Sequence, residues 1–200
     1  MVDSFIEALV KPKPVPGGGA AAAHGAFLGL GLLEKIVTVE FQRSSVPSEP
    51  DWKNLLREVK KASRTILQLR DEDGKAYIRF AQAKTFGKGK KEVLEALHQA
   101  IESPRRIMEE ASEALNLVAR TGAHCKDHLI SDLLVVCELL RAAIYGVYGI
   151  AQANVNLMET SVERNEYQGR LEQFLTGSRE LYESVISELA QRAGIENTRN

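Results

Sequence analysis

The chain lacks most of the features that would settle a function class at once. Only two of its 200 residues are cysteine, Cys125 and Cys137. That is too few for a disulfide framework and suits a reducing compartment. Neither sign of charge prevails, since 26 Lys and Arg stand against 27 Asp and Glu for a net charge of −1. No overall basic field is therefore available to draw nucleic acid or an anionic membrane. No segment alternates apolar and polar residues over the length of a strand, and no repeat of 20–50 residues is visible. The start, MVDSFIEALVKPKP, lacks the basic and apolar regions of a secretory signal. The expectation is a cytoplasmic protein with neither a nucleic-acid nor a membrane partner. One run, Pro14 to Leu33, is uncharged and long enough to touch the bilayer window. Its prolines, its leading glycines and His24 make it a poor hydrocarbon span.

What is present is helical periodicity almost throughout, on a chain that is 44% hydrophobic. A short first helix is expected from Asp3 to about Lys11, capped by Asp3 or Ser4 and stopped by KPKPVP. A second starts in or just after Gly17–Gly19 and runs to about Arg43. A helix start near Ser48–Asp51 opens a long third helix, Trp52 to Lys84, with Gly74 inside it. TFGKGK breaks the chain, KEVLEALHQAIES forms the next helix, and Pro104 opens another that ends near Thr121. A long apolar helix follows from Leu129 to Met158, then a last one from Val162 to Ala193, ended by Gly194. The chain thus reads as one all-α domain over residues 1–200, a bundle of about six or seven helices with long central ones. The second helix and the Leu129–Met158 helix are too apolar for the surface, so they form the centre or face a second subunit.

Four stretches carry candidate chemistry. Gly17, Gly18 and Gly19 stand at a helix N-terminus, where unpaired N–H groups and the dipole favour a carboxylate or polar ring edge. A turn between two helices explains them equally well, and no Walker lysine follows. Further along the same helix, Gly17, Ala21, Gly25 and Gly29 recur every four residues, a stripe that admits close helix packing. Arg70, Asp73, Tyr77, Phe80 and Lys84 share one face of the third helix, where a carboxylate beside a tyrosine suits proton transfer. The bland alternative is a solvated face with an Arg70–Asp73 pair. In the loop AHCKDH, His124, Cys125, Asp127 and His128 are metal-ligand types, but one short loop with no partner cluster favours an ordinary surface loop. Tyr145, Tyr148, Gln152 and Asn156 draw a polar line along an apolar helix, either for interhelical hydrogen bonds or to face a cavity.

In order and spacing these segments resemble the formiminotetrahydrofolate cyclodeaminase / methenyltetrahydrofolate cyclohydrolase family over nearly the whole chain. The resemblance rests on FIEAL followed by PVPGGGAAAAHGAFLGLGLLEKIV, on LRDEDGKAYIRFAQAK, and on ISDLLVVCELLRAAIYGVYGIAQANVNLM. Ala20 stands where family members usually carry serine, and Gln152 where they carry an asparagine.

The resemblance implies an all-α homodimer that binds a tetrahydrofolate derivative as substrate, with no metal and no further cofactor. It implies an enzyme acting at the 5,10-methenyl level, either hydrolysing 5,10-methenyltetrahydrofolate to the 10-formyl form or cyclising the 5-formimino form with loss of ammonia. Asp73 takes the acid/base role. Gly17–Gly19, Tyr77, Lys84, Ser131, Asp132, Gln152 and Asn156 become the substrate-binding candidates, with Lys84 and GKGKK able to meet the negative glutamate tail. The absence of a transferase domain within these residues tilts the expectation toward the cyclohydrolase. The alternative is a non-catalytic helical dimer that keeps the fold to bind a ligand or scaffold a complex. Ser131 and Asp132 lie about 30 Å from Gln152 along a straight helix. One straight subunit therefore cannot gather all the candidates into one compact site: either the site is long, as an extended folate is, or a dimer brings one end of each partner's helix together, or Gly146 or Gly149 bends the helix.

Overall fold

The structure, a computed structural model, describes residues 4–44, 50–87 and 89–194. The expected caps Asp3 and Ser48, Lys88 and the 195–200 tail lie outside the described residues. Among those described there are six α-helices, one 3-10 turn and no strand. The helices are α1 (Ser4–Leu9), α2 (Gly18–Arg43), α3 (Trp52–Thr85), α4 (Lys90–Gly122), α5 (Ile130–Val155) and α6 (Ser161–Ala193). Asp51 caps α3 by accepting the Asn54 N–H at 3.0 Å, and Gly194 ends α6 in the left-handed conformation with φ 65°.

Five long helices, each antiparallel to the next in sequence, pack around one core, in which Leu30, Leu33, Ile36, Leu55, Ile66, Ile107, Leu115 and Leu133 are fully buried. Along α2 and α5 the register is set by small residues. A Cβ on Gly18 would meet the Ile150 side chain at 3.3 Å, one on Gly146 would meet Ala22 at 3.5 Å, and one on Gly29 would meet Leu139 at 3.3 Å. The close-packing stripe of α2 is therefore Gly18, Ala22 and Gly29: of the Gly17, Ala21, Gly25 and Gly29 line expected from spacing, Gly29 takes the contact, while nearer the N-terminus the contact lies one position further on. Gly25 has open space where its Cβ would stand.

One expected boundary is absent. The KEVLEALHQAIES helix and the helix expected from Pro104 are a single element, α4, with Pro104 inside it. Proline leaves the carbonyl four residues earlier, that of Ala100, without its N–H partner. Here the Asn154 side-chain amide, from α5, donates to that carbonyl at 2.7 Å. A tertiary contact thus fills the gap that would otherwise have ended the helix.

By length and composition, α2 and the stretch Asp127–Val155 each suffice to cross a bilayer. Both pack within the bundle, yet only 50% and 39% of their apolar windows are buried. The uncovered part is a continuous face. Ala21, Gly25, Leu28 and Leu32 on α2 flank the α2–α5 contact on the same side as Val135, Ala142, Gly146 and Gly149 on α5, by the 100° step per residue. Leu28 is 55% exposed and Val135 50% exposed there.

Candidate active site

The N-terminus of α2 has no side-chain cap of its own, because Gly17 carries none. The Asp73 carboxylate, from the middle of α3, fills that role from outside. It accepts the Ala20 backbone N–H and, at 3.5 Å, the Ser103 hydroxyl from α4. A Cβ on Gly19 would lie 2.4 Å from one Asp73 carboxylate oxygen and 2.7 Å from the other. Gly19 is glycine so that the carboxylate can rest on the helix start. The neighbouring glycines serve the chain as well. The Ile150 side chain covers Gly18, and the Pro14 carbonyl stands 3.6 Å from where a Cβ on Gly17 would be.

Burial pushes the Asp73 carboxyl above its ordinary value, against the smaller opposing pull of Ser103 and the Ala20 N–H. Among the described residues no cation pairs with it. Arg70, its expected partner, instead bonds Asp71 at 3.0 Å and lies over the Phe5 ring at 5.0 Å. His24 is buried beneath the same cluster, stacked on Phe5 at 4.3 Å. A half-buried carboxyl with a raised pKa, one N–H and one hydroxyl on it, and no neutralising cation among the described residues is a group suited to accepting and returning a proton. A groove of about 300 Å³ between α3 and α4 runs beside it, lined by Ala76, Ser103, Arg79, Arg106 and neighbouring charged residues.

The sequence candidates divide by place. Gly17–Gly19, Asp73 and Gln152 stand at one end of the bundle, where the start of α2, the middle of α3 and the end of α5 meet. Tyr77 is exposed one turn along α3 from Asp73, Lys84 two turns further on, and Asn156 is exposed just past the end of α5. The polar line on α5 makes a bond within its own helix, from the Gln152 amide to the Tyr148 hydroxyl at 3.4 Å. Ser131 and Asp132 open α5 at the opposite end, about 30 Å away by helix rise. Ser103 and Asn154 carry the geometry here yet gave no signal in sequence. A serine beside a proline, and one asparagine among several, name no partner until α4 and α5 are docked.

The AHCKDH loop is held by structural bonds. The Lys126 N–H donates to Glu40 at 3.2 Å, while Arg192 donates to the Gly122 carbonyl, to the Cys125 carbonyl at 2.9 Å and to Asp127 at 2.6 Å. Cys125 is buried and His124 exposed, and no group of three metal-ligand side chains forms among the described residues.

The bundle, with its carboxylate docked on a helix start, has the fold of a formiminotetrahydrofolate cyclodeaminase solved from Thermotoga maritima. The likeness has a TM-score of 0.77 at 19% identity, over 97% of this chain and 96% of that one. A family model described as Formiminotransferase-cyclodeaminase matches residues 1–173, and the chain belongs to that family. Among curated relatives, a methenyltetrahydrofolate cyclohydrolase of Methylorubrum extorquens is 25% identical over 94% of this chain and 97% of its own length. A formimidoyltransferase-cyclodeaminase of Mus musculus is 24% identical over 94% of this chain. This chain spans 36% of the length of that mouse protein.

Proposed function

We propose that the protein is a metal-independent enzyme of folate one-carbon metabolism that works at the 5,10-methenyl level, with Asp73 as its acid/base. The observation that carries this reading is the Asp73 carboxyl, raised by burial, unpaired with any cation among the described residues and held by Ala20 and Ser103. In hydrolysis of the methenyl bridge, the carboxylate takes a proton from water as the water oxygen adds to the bridge carbon. The proton passes to N5 as the carbon–N5 bond breaks, while the hydroxyl of the adduct gives up its own proton through the carboxylate to solvent, leaving the formyl group on N10. In the cyclisation, N10 adds to the carbon of the protonated formimino group, which leaves an NH2 on that carbon, and gives up its proton to the carboxylate. The same proton then goes to the departing nitrogen, which leaves as ammonia. Both reactions ask one group to accept and return a proton at one carbon. The cyclohydrolase relative of similar length supports the first and the cyclodeaminase relatives support the second.

The active form in this reading is a homodimer joined through the exposed α2–α5 face. An antiparallel pairing about a two-fold axis on that face brings Ser131 and Asp132 of one copy toward the Asp73 end of the other. That arrangement resolves the 30 Å separation that one subunit cannot.

Absorbance tests the reaction. Wild-type protein with 5,10-methenyltetrahydrofolate loses the methenyl chromophore, or with the 5-formimino precursor gains it, and Asp73→Asn slows that change by about 10²–10⁴-fold. A specific feature favours a second reading, a non-catalytic helical dimer. Asp73 caps α2 from outside, and a cap is reason enough for a carboxylate there. If neither substrate turns over, the cap is the whole role of Asp73.

A further inference from the structure

The α3–α4 groove does not lie on the face of α3 that carries Asp73. Asp73, Tyr77, Phe80 and Lys84 recur at steps of four, three and four residues and form one line along the helix. Glu72, Ala76 and Arg79, which line the groove, are turned roughly 100° from that line. Two bridges join the walls of the groove. Arg106 of α4 pairs with Glu72 of α3 at 2.8 Å, and Arg79 of α3 donates to Gln99 of α4 at 2.9 Å. Along each helix the bridges stand about 10 Å apart by helix rise. Ala76 and Ser103 lie between them, with the charged Lys75 and Glu102.

Ser103 joins this groove to Asp73. It lines the groove, which Asp73 does not, and its buried hydroxyl donates to Asp73 Oδ1 at 3.5 Å. That direction is not the default inside a helix. The hydroxyls of Ser63, Thr65, Thr85 and Thr121 each donate to the carbonyl four residues earlier on their own helix. Ser103 instead donates across to α3, and the Asn154 bond to the Ala100 carbonyl pins α4 one turn before it. The separation is long for two oxygens, and catalytic hydrogen bonds are often this long before substrate closes a site.

Hydrolysis of the methenyl bridge has a proton to expel. The bridge is a cation, the formyl product is neutral, and so each turnover releases one proton that Asp73 must hand on. The cyclisation returns its proton to the departing nitrogen and releases none. Resting on the function proposed above, we infer that Ser103 is a positioning residue that acts through Asp73, holding its carboxyl toward the α3–α4 groove and passing the released proton to water there. The Asp73 O–H gives its proton to Ser103 Oγ while the Ser103 O–H gives its own to a groove water. The serine is regenerated and one proton leaves. The groove is the solvent side of the site, and the Asp73–Tyr77 face is the substrate side.

Two measurements on Ser103→Ala test this, with circular dichroism to check that its helices are intact. The first needs no turnover. Carbon-13 NMR of aspartate-labelled protein follows the Asp73 carboxyl, assigned with Asp73→Asn. Its midpoint moves up in Ser103→Ala, because a hydrogen bond to the charged form is lost. An unchanged midpoint overturns the inference. The second follows hydrolysis of 5,10-methenyltetrahydrofolate at constant pH and ionic strength, after subtraction of the rate in buffer alone. In dilute buffer Ser103→Ala lowers kcat about tenfold or more and leaves KM within about twofold. Added imidazole, a small proton carrier that can enter the open groove, restores kcat in the variant and leaves wild type unchanged. A variant with wild-type kcat, or one whose lost rate imidazole does not restore, sinks the relay and leaves the function standing. Turnover of the 5-formimino substrate alone also sinks it, because that reaction expels no proton. If neither substrate turns over, the function falls and the relay falls with it.

Discussion

At the residue scale, the proposed chemistry rests on one carboxylate and one missing Cβ. Asp73 is raised by burial, so the folded chain binds its proton more tightly than the unfolded chain does. The sign follows from linkage. A carboxyl with a folded pKa above its unfolded one stabilises the fold most below the unfolded pKa, and that contribution is lost as pH rises through the folded pKa. Asp73→Asn keeps an acceptor for the Ala20 N–H without the buried charge. It is expected to melt no lower than wild type at pH 7, and to show a flatter dependence of melting temperature on pH above the ordinary carboxylate range, while turnover falls. A variant that melts well below wild type at pH 7 makes the charge a structural cap. Gly19→Ala gives the complementary test. Its methyl group claims the place of the Asp73 carboxylate, whose oxygen stands 2.4 Å from the new Cβ. The carboxylate is the end of a side chain and can swing away, so the expected result is a folded protein with turnover down at least tenfold. Wild-type activity in Gly19→Ala would mean that the docked position of Asp73 is not the working one. Asp73, Tyr77 and Gly17–Gly19 could be named from sequence because their spacing is local. Ser103 could not, because its only link to Asp73 is the docking of α4 on α3.

At the element scale, α4 is the instructive case. Pro104 reads as a boundary in any local analysis, since it deletes a helical hydrogen bond and crowds the turn before it. The helix continues because Asn154 reaches across from α5 to the orphaned Ala100 carbonyl. Asn154→Ala leaves that carbonyl buried without a partner, at a cost of about 1–3 kcal/mol. Pro104→Ala supplies the N–H from within the helix. The cost of Asn154→Ala is therefore expected to shrink by about 1 kcal/mol or more in the Pro104→Ala background, measured by urea denaturation of all four proteins. Equal costs in both backgrounds would show that the two residues are not coupled. The α2 stripe teaches the same lesson in a smaller way. Spacing identifies a four-residue periodicity of small side chains, but Gly18, Ala22 and Gly29 take the helix contact and Gly25 faces outward. Gly29 belongs to both the expected line and the observed contact, and the partner helix decides which neighbouring small residues join it.

At the scale of the whole molecule, the uncovered α2–α5 face asks for a partner. Leu28 and Val135 stand half exposed among glycines and alanines, a surface whose small side chains permit close helix contact. In the homodimer proposed here, Leu28→Arg places a charge in that contact without touching the core. The expected result is a protein at half the wild-type mass in light scattering, with helical content kept and turnover reduced. A variant that stays dimeric, or a wild-type protein that is monomeric at micromolar concentration, would remove the dimer from the reading.

The sequence alone determined that the chain is helical, where most of its long helices begin and end, which family it resembles and which carboxylate to watch. Those properties reside in periodicity, in caps and in motifs a few residues long, where neighbours in sequence are neighbours in space. The tertiary structure decided the rest. It set Asp73 on Gly19 and against Ser103 rather than beside Arg70, carried α4 through Pro104, tied the AHCKDH loop to Arg192, and split Ser131 and Asp132 from the Asp73 end. Each of these joins residues tens of positions apart, through contacts that exist only once one helix has docked on another and water has been excluded between them.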